Sequence, residues 1–136
     1  MAHSYGSSIR VESAKQAAAA ALAEARRNSW TMVVAVVDIA GELVYFEKMD
    51  DAQNGSVRVA VAKARSAALF KRPTKAFQEA LAGGGDGLRV LGLEGAVPVE
   101  GGLPLTIDDR IVGAIGLSGG TSEQDGVCAK AGVAAI

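Results

Sequence analysis

A valine-rich run at residues 32–37 ends in Asp38-Ile39-Ala40-Gly41, and an alternating stretch follows at 42–49. A continuous apolar run implies a strand covered on both faces. The alternating stretch sets Leu43, Tyr45, Glu47 and Met49 on one side and Val44, Phe46 and Lys48 on the other, the pattern of a strand with two unlike faces. Asp38 and Gly41 suit a tight turn, the aspartate through an Asx hydrogen bond and the glycine through a positive φ. A β-hairpin is predicted here, and its buried strand requires helices packed over the sheet.

The rest of the chain supplies those helices. Residues 9–28 carry Val11, Ala14, Ala18, Ala21, Leu22 and Ala25 at three- and four-residue spacing, which is one face of a helix. Ser7 or Ser8 suits its N-cap, and Glu12 its first turn. A second helix is predicted over 55–71 with Val57, Val61, Ala64 and Ala68 on the buried face. Pro73 breaks it, because the residue before a proline avoids helical dihedrals. Residues 75–81 read as a short helix, 83–85 as a flexible glycine loop and 86–91 as a further turn. Strands are predicted at 97–99, 103–107 and 110–117, the last two joined at Asp108-Asp109, with a final helix from about Thr121 onward. The order αββα(α)βββα is rich in hairpins and poor in βαβ crossovers. It implies an α+β fold, an α/β sandwich with a five-stranded, mostly antiparallel sheet flanked by helices.

At 136 residues the chain reads as one domain with its own core, its first seven residues expected to be flexible. A net charge of −1 leaves no electrostatic footprint for nucleic acid. No apolar run approaches the roughly 20 residues of a membrane span, and the start of the chain lacks the pattern of a secretory signal. A single cysteine, Cys128, cannot form an internal disulfide and suits a reducing cytoplasm. Seventeen glycines and only 4% aromatic residues leave little bulk for a large monomeric core, so a cytoplasmic homo-oligomer is expected.

Several chemistries are missing. The one histidine, His3, stands at the N-terminus, and there is no HExxH, CxxC or Cys/His cluster, so no metal site built by the protein is expected. Neither glycine-rich stretch carries the GK[ST] of a phosphate loop, and no downstream histidine completes a serine triad. What remains is polar and glycine-rich. Ser118-Gly119-Gly120-Thr121 opens the last helix, where Thr121 with Gln124 fits a capping box and where backbone N–H groups favour an anion. Glu100-Gly101-Gly102 and the strand glycines Gly113 and Gly116 are positions where backbone or ligand can approach closely. Arg58, Arg65 and Arg72 recur every seven residues, able to grip carboxylates as a row or to form a solvated helix side. Lys63 lies on another face of that helix. Asp38 makes either an Asx turn or, if buried beside a pocket, a proton-transfer group.

The segments Val36-Val37-Asp38, Gly41, Met49-Asp50, Lys63-Ala64-Arg65, Gly101-Gly102-Leu103-Pro104-Leu105, the run from Ile111 to Thr121, and Gln124-Asp125 together resemble the GlcG/HbpS-like family. That family is labelled a haem-degrading domain and is related to the C-terminal domain of PduO-type corrinoid adenosyltransferases. The resemblance extends from Val11 through Gly132. It implies a profilin-like sheet between helices, a haem or other tetrapyrrole ligand, and a site role for Lys63. Haem held by an axial ligand needs His, Cys, Met or Tyr, which makes Tyr45 and Met49 the axial candidates, with Cys128 and Tyr5 behind them. Arg65, Arg72, Glu100, Gly101, Gly102, Ser118, Gly119, Gly120 and Thr121 are the expected ligand contacts. The alternative is a catabolic-pathway enzyme of hydratase, isomerase or lyase type acting on a small oxo- or hydroxy-acid. Lys63 or Arg72 would then hold the carboxylate, while Asp38, Glu100 or Asp125 moves a proton.

Overall fold

The computed structural model describes residues 3–136. The elements are α1 (Val11–Arg27), β1 (Val33–Val37), β2 (Leu43–Lys48), α2 (Ser56–Phe70), α3 (Thr74–Ala82), a 3-10 segment (Gly85–Gly92), β3 (Gly102–Ile107), β4 (Arg110–Ser118) and α4 (Ser122–Ala134). The strands form one antiparallel sheet in the order β2-β1-β4-β3. The hairpin is present, with Val36 opposite Tyr45 and Val33 opposite Lys48.

The sheet has four strands among the described residues, not five. Residues 97–99 form no strand. Pro98 has no N–H to give a ladder, and the Val97 N–H donates instead to Ser66 Oγ on α2 at 3.1 Å. The segment is tied to a helix face rather than to a sheet edge.

Every residue of β1 is buried, because both faces of the sheet are covered. Val34 and Val36 pack in a core with the alanine face of α1, Leu22, Cys128 and Ala129. Val33, Ala35 and Val37 point the other way, toward Ala60, Ala64, Ala67 and Ala68 of α2. Small side chains let the helices lie close: a Cβ on Gly116 of β4 would collide with the Ala60 carbonyl and the Ala64 nitrogen. That glycine seats α2 on the sheet and forms no pocket floor.

Of the first seven residues, expected to be flexible, 1 and 2 lie outside the described ones, and the side-chain cap expected of Ser7 or Ser8 is not formed. Residues 4–6 lie against β4, with Ile111 N–H donating to Ser4 O at 2.9 Å and Gly6 N–H to Ile111 O at 2.8 Å. This pairing occupies the edge of β4 beyond the end of β1, and it leaves Ser7 and Ser8 short of the helix start. Arg10 is the N-cap of α1 and supplies no side-chain cap. Ser8 Oγ accepts from the Ile39 N–H at 3.3 Å.

Candidate functional site

Lys63 reaches from α2 past the end of β4 to the first turn of α4. Its Nζ donates to Asp125 Oδ2 at 2.8 Å and to the Leu117 carbonyl at 2.9 Å. Both side chains of the pair are almost wholly out of solvent, 1% and 3% exposed. The other carboxylate oxygen, Oδ1, accepts from the Gly120 N–H at 3.0 Å. Burial pushes the Asp125 carboxyl above its ordinary value, and the Lys63 ammonium and the Gly120 N–H pull it back without cancelling the effect.

The loop before β3 closes over this pair. Gly101, at φ +132°, is so near that a Cβ there would stand 2.8 Å from Lys63 Nζ and 2.7 Å from the Leu117 carbonyl. Thr74 Oγ1 accepts from the Gly102 N–H at 2.9 Å, and Gln78 Oε1 accepts from the Glu100 N–H at 2.7 Å. Glu100 is buried, and its carboxylate packs against the bare Cα of Gly126. Beside it opens a cavity of about 120 Å³ lined by Pro73, Lys75, Glu100, Gly101, Gly102, Leu103, Gly126 and Lys130. Lys63, Asp125, Glu100, Gly101, Gly102 and Gly120 are thus gathered in one place. Lys130, on α4, joins them without having been singled out in the sequence, where it reads as one more exposed helix lysine.

The remaining candidates are elsewhere. Asp38 Oδ1 accepts from the N–H groups of Ala40 and Glu42 at 2.9 and 3.0 Å, an Asx turn. It follows the last residue of β1, whereas the Lys63 pair lies by Ser118, opposite the first residue of β1. Five strand residues, about 16 Å, separate the two. Ser118 Oγ turns inward to Ser56 Oγ at 2.9 Å. Thr121 and Gln124 form the capping box and the Gly120 N–H goes to Asp125, so residues 120–121 serve the start of α4, with Gly119 packed against the Thr31 carbonyl. Arg72 falls beyond the end of α2, its Nε donating to Phe70 O at 2.9 Å and its guanidinium stacked 5.5 Å from the Phe77 ring centre. It does not continue a row with Arg58 and Arg65. Cys128 is buried, its thiol pushed up to about 12 by desolvation and then by Glu24 and Asp125.

Arg58 and Arg65 line a larger groove on the outer side of α2, of about 590 Å³. Val57, Val61, Ala62 and Leu69 form one wall, and residues 94–97 form the other. One Arg65 nitrogen donates to the Gly41 carbonyl at 2.6 Å, which fixes the guanidinium over the hairpin turn. Tyr45 and Met49 pack with the α1 core on the opposite side of the sheet. Tyr45 donates to Glu47 at 2.7 Å, a bond that holds its phenol above the usual value. Met49 Sδ accepts from the Met32 N–H at 3.3 Å. Among the described residues no cluster of three or more metal-ligating side chains forms, and no helix is long and apolar enough to cross a membrane.

A family profile described as "Haem degrading protein HbpS-like" matches residues 9–134. The chain belongs to this family. It is 36% identical over 100 residues to the protein GlcG of Escherichia coli K12, spanning 74% of this chain and 73% of that one. The crystal structure of Klebsiella pneumoniae protein ORFY superposes with a TM-score of 0.87 at 31% identity, covering 96% of this chain and 91% of that chain. A crystal structure of a PduOC–haem complex superposes with a TM-score of 0.84 at 30% identity, covering 95% of each chain. The GlcG/HbpS-like resemblance therefore holds over residues 9–134.

Proposed function

We propose that the protein binds haem or a related tetrapyrrole as a homo-oligomer, and that the ligand seats in the groove along the outer side of α2. The reading rests above all on the PduOC–haem complex, whose fold this chain shares over 95% of its length. The residues present fit such a ligand. A groove of about 590 Å³ lies within the ~300–1,000 Å³ range of organic-ligand sites. Val57, Val61, Ala62, Leu69, Ala96 and Val97 give it aliphatic surface for the flat face of a macrocycle, with Glu94 at one wall. Arg58 and Arg65 offer guanidiniums to carboxylate side arms, an arrangement suited to bidentate recognition.

Axial ligation from Tyr45 or Met49 is the competing seat, on the opposite side of the sheet. A tyrosine ligand binds iron as its phenolate, whereas the hydrogen bond to Glu47 favours the protonated phenol. The groove itself is lined by no His, Cys, Met or Tyr. Retention there depends on apolar contact and the two arginines.

The test is a hemin titration followed in the Soret band. A saturable shift at stoichiometric hemin is expected, weakened in an Arg58→Ala/Arg65→Ala variant and unchanged in Tyr45→Phe and Met49→Leu. A shift abolished by Tyr45→Phe would move the ligand to the hairpin. Only non-saturating change would remove tetrapyrrole binding altogether.

A further inference from the structure

The α2 groove carries its charges unevenly. Arg58 and Arg65 stand on the helix wall, and the other charged residue of the lining, Glu94, stands on the facing segment. We propose that this polarity orients and selects the tetrapyrrole. Arg65, positioned by Gly41 of the hairpin turn, holds the ligand's carboxylates along α2, and Glu94 excludes a carboxylate from the far wall. The inference rests on the groove being the tetrapyrrole seat, and it narrows the ligand to macrocycles whose carboxylates share one edge.

Three observations carry this. First, the two arginines are alike in sequence but not in setting. Arg58 is exposed, whereas Arg65 is half-buried, with Nη1 donating to the Gly41 carbonyl at 2.6 Å and lying 3.9 Å from a Glu42 oxygen. A guanidinium presents five N–H donors in a rigid fork, so this bond fixes the group and leaves donors for a ligand. A side chain already held loses less freedom on binding than a free one. Second, Gly41 makes room for that arrangement. Its φ is +82°, and a Cβ there would stand 3.2 Å from Arg65 Nη1. Third, the far wall is tied in place and offers an anion nothing. The Val97 N–H donates to Ser66 Oγ on α2 at 3.1 Å, three residues after Glu94. Apart from the three charged residues, every lining side chain is aliphatic or absent. A carboxylate turned that way would meet Glu94 and no cation, and like charges brought together weigh against the wrong ligand.

Three iron porphyrins distinguish the two walls. Hemin carries its two propionates on one edge of the ring. Hemin dimethyl ester keeps the ring and removes the charge. Iron coproporphyrin carries a propionate on every pyrrole, so that carboxylates reach the far wall whichever way it enters. Affinities are read from Soret titrations of the intact chain.

The wild type should prefer hemin to its ester, and hemin to coproporphyrin, by about ten-fold or more in each case, the size of one charged contact made or one like-charge contact met. Arg65→Ala and Gly41→Ala should both lower the hemin-to-ester ratio. A general loosening of the fold would weaken both ligands together and leave that ratio alone. Glu94→Gln alters an exposed side chain, keeps the fold, and should bring the hemin-to-coproporphyrin ratio toward one. Raised salt should do the same, because exposed charges are screened. Exclusion of coproporphyrin by bulk alone would survive both changes and overturn the role of Glu94. A hemin-to-ester ratio untouched by Gly41→Ala and Arg65→Ala would overturn that of the hairpin turn. In both cases hemin still binds saturably and the tetrapyrrole reading stands. Absence of saturable hemin binding would remove that reading and the polarity with it.

Discussion

Lys63 is the residue whose placement matters most. A lysine in an exposed helix reads as solvated, but Lys63 shares a helix side with Ala60, Ala64 and Ala67, the small face that meets the sheet. The predicted buried face, Val57, Val61, Ala64 and Ala68, lies to one side of it, because the larger valines draw the eye from the alanines that meet the sheet. The partner of Lys63 was not legible either, because Asp125 lies 62 residues on and meets it only across the end of β4. Breaking a buried pair by removing one member strands the other charge, at about 3–5 kcal/mol. Lys63→Met should lower the unfolding free energy by that amount in urea titrations. Lys63→Met/Asp125→Leu should recover much of it. Asp125 also sets a pH trend. Its carboxyl is raised above the usual 3.8, so between that value and the folded-state value the native state holds more proton than the unfolded chain. Its contribution is complete below 3.8 and is lost as pH rises. Stability of the wild type minus that of Asp125→Asn should therefore fall as pH increases from about 4. A difference that rises would mean that the Lys63 ion pair outweighs burial.

Elements were legible where one periodicity ruled. The β1–β2 hairpin was readable because valines and an Asp–Gly turn left no competing pattern, and the α4 start because Thr121 and Gln124 stand at cap spacing. Residues 97–99 misled because Val-Pro-Val has the composition of a strand, but Pro98 has no N–H and the Val97 amide goes to Ser66 on a helix. Segment 4–6 escaped notice since a three-residue pairing has no periodicity at all. The packing of α2 on the sheet depends on Gly116, where any Cβ meets helix backbone rather than a flexible side chain. Gly116→Ala forces the two apart. A loss of about 1–3 kcal/mol or more is expected from such overpacking, read as a lower urea midpoint with an unchanged slope. A neutral outcome would show that α2 can lift off the sheet freely.

For the whole molecule, the two faces of the sheet divide the chemistry. Arg58, Arg65 and the large groove belong to the α2 side, Tyr45 and Met49 to the α1 side, and the Glu100 cavity to the place where α3, α4 and the start of β3 converge. No sequence pattern could show this division, because the arginines and the axial candidates occupy separate elements whose sides are set only by sheet register. The exposed Leu43 and Phe46 on edge strand β2, with Leu88, Leu91 and Leu93 around the 3-10 segment, leave apolar surface of the kind that a second subunit covers. Light scattering after size exclusion should return a multiple of 13.8 kDa. A monomeric mass at micromolar concentration would contradict the oligomer. The central claim is the seat of the tetrapyrrole, and iron itself can map it. Addition of paramagnetic hemin broadens nearby amide signals. Selective broadening at Val57, Val61, Leu69 and Ala96 is the expected result, with Tyr45 and Met49 left sharp. Broadening centred on Tyr45 and Met49, with the α2 groove untouched, would contradict it.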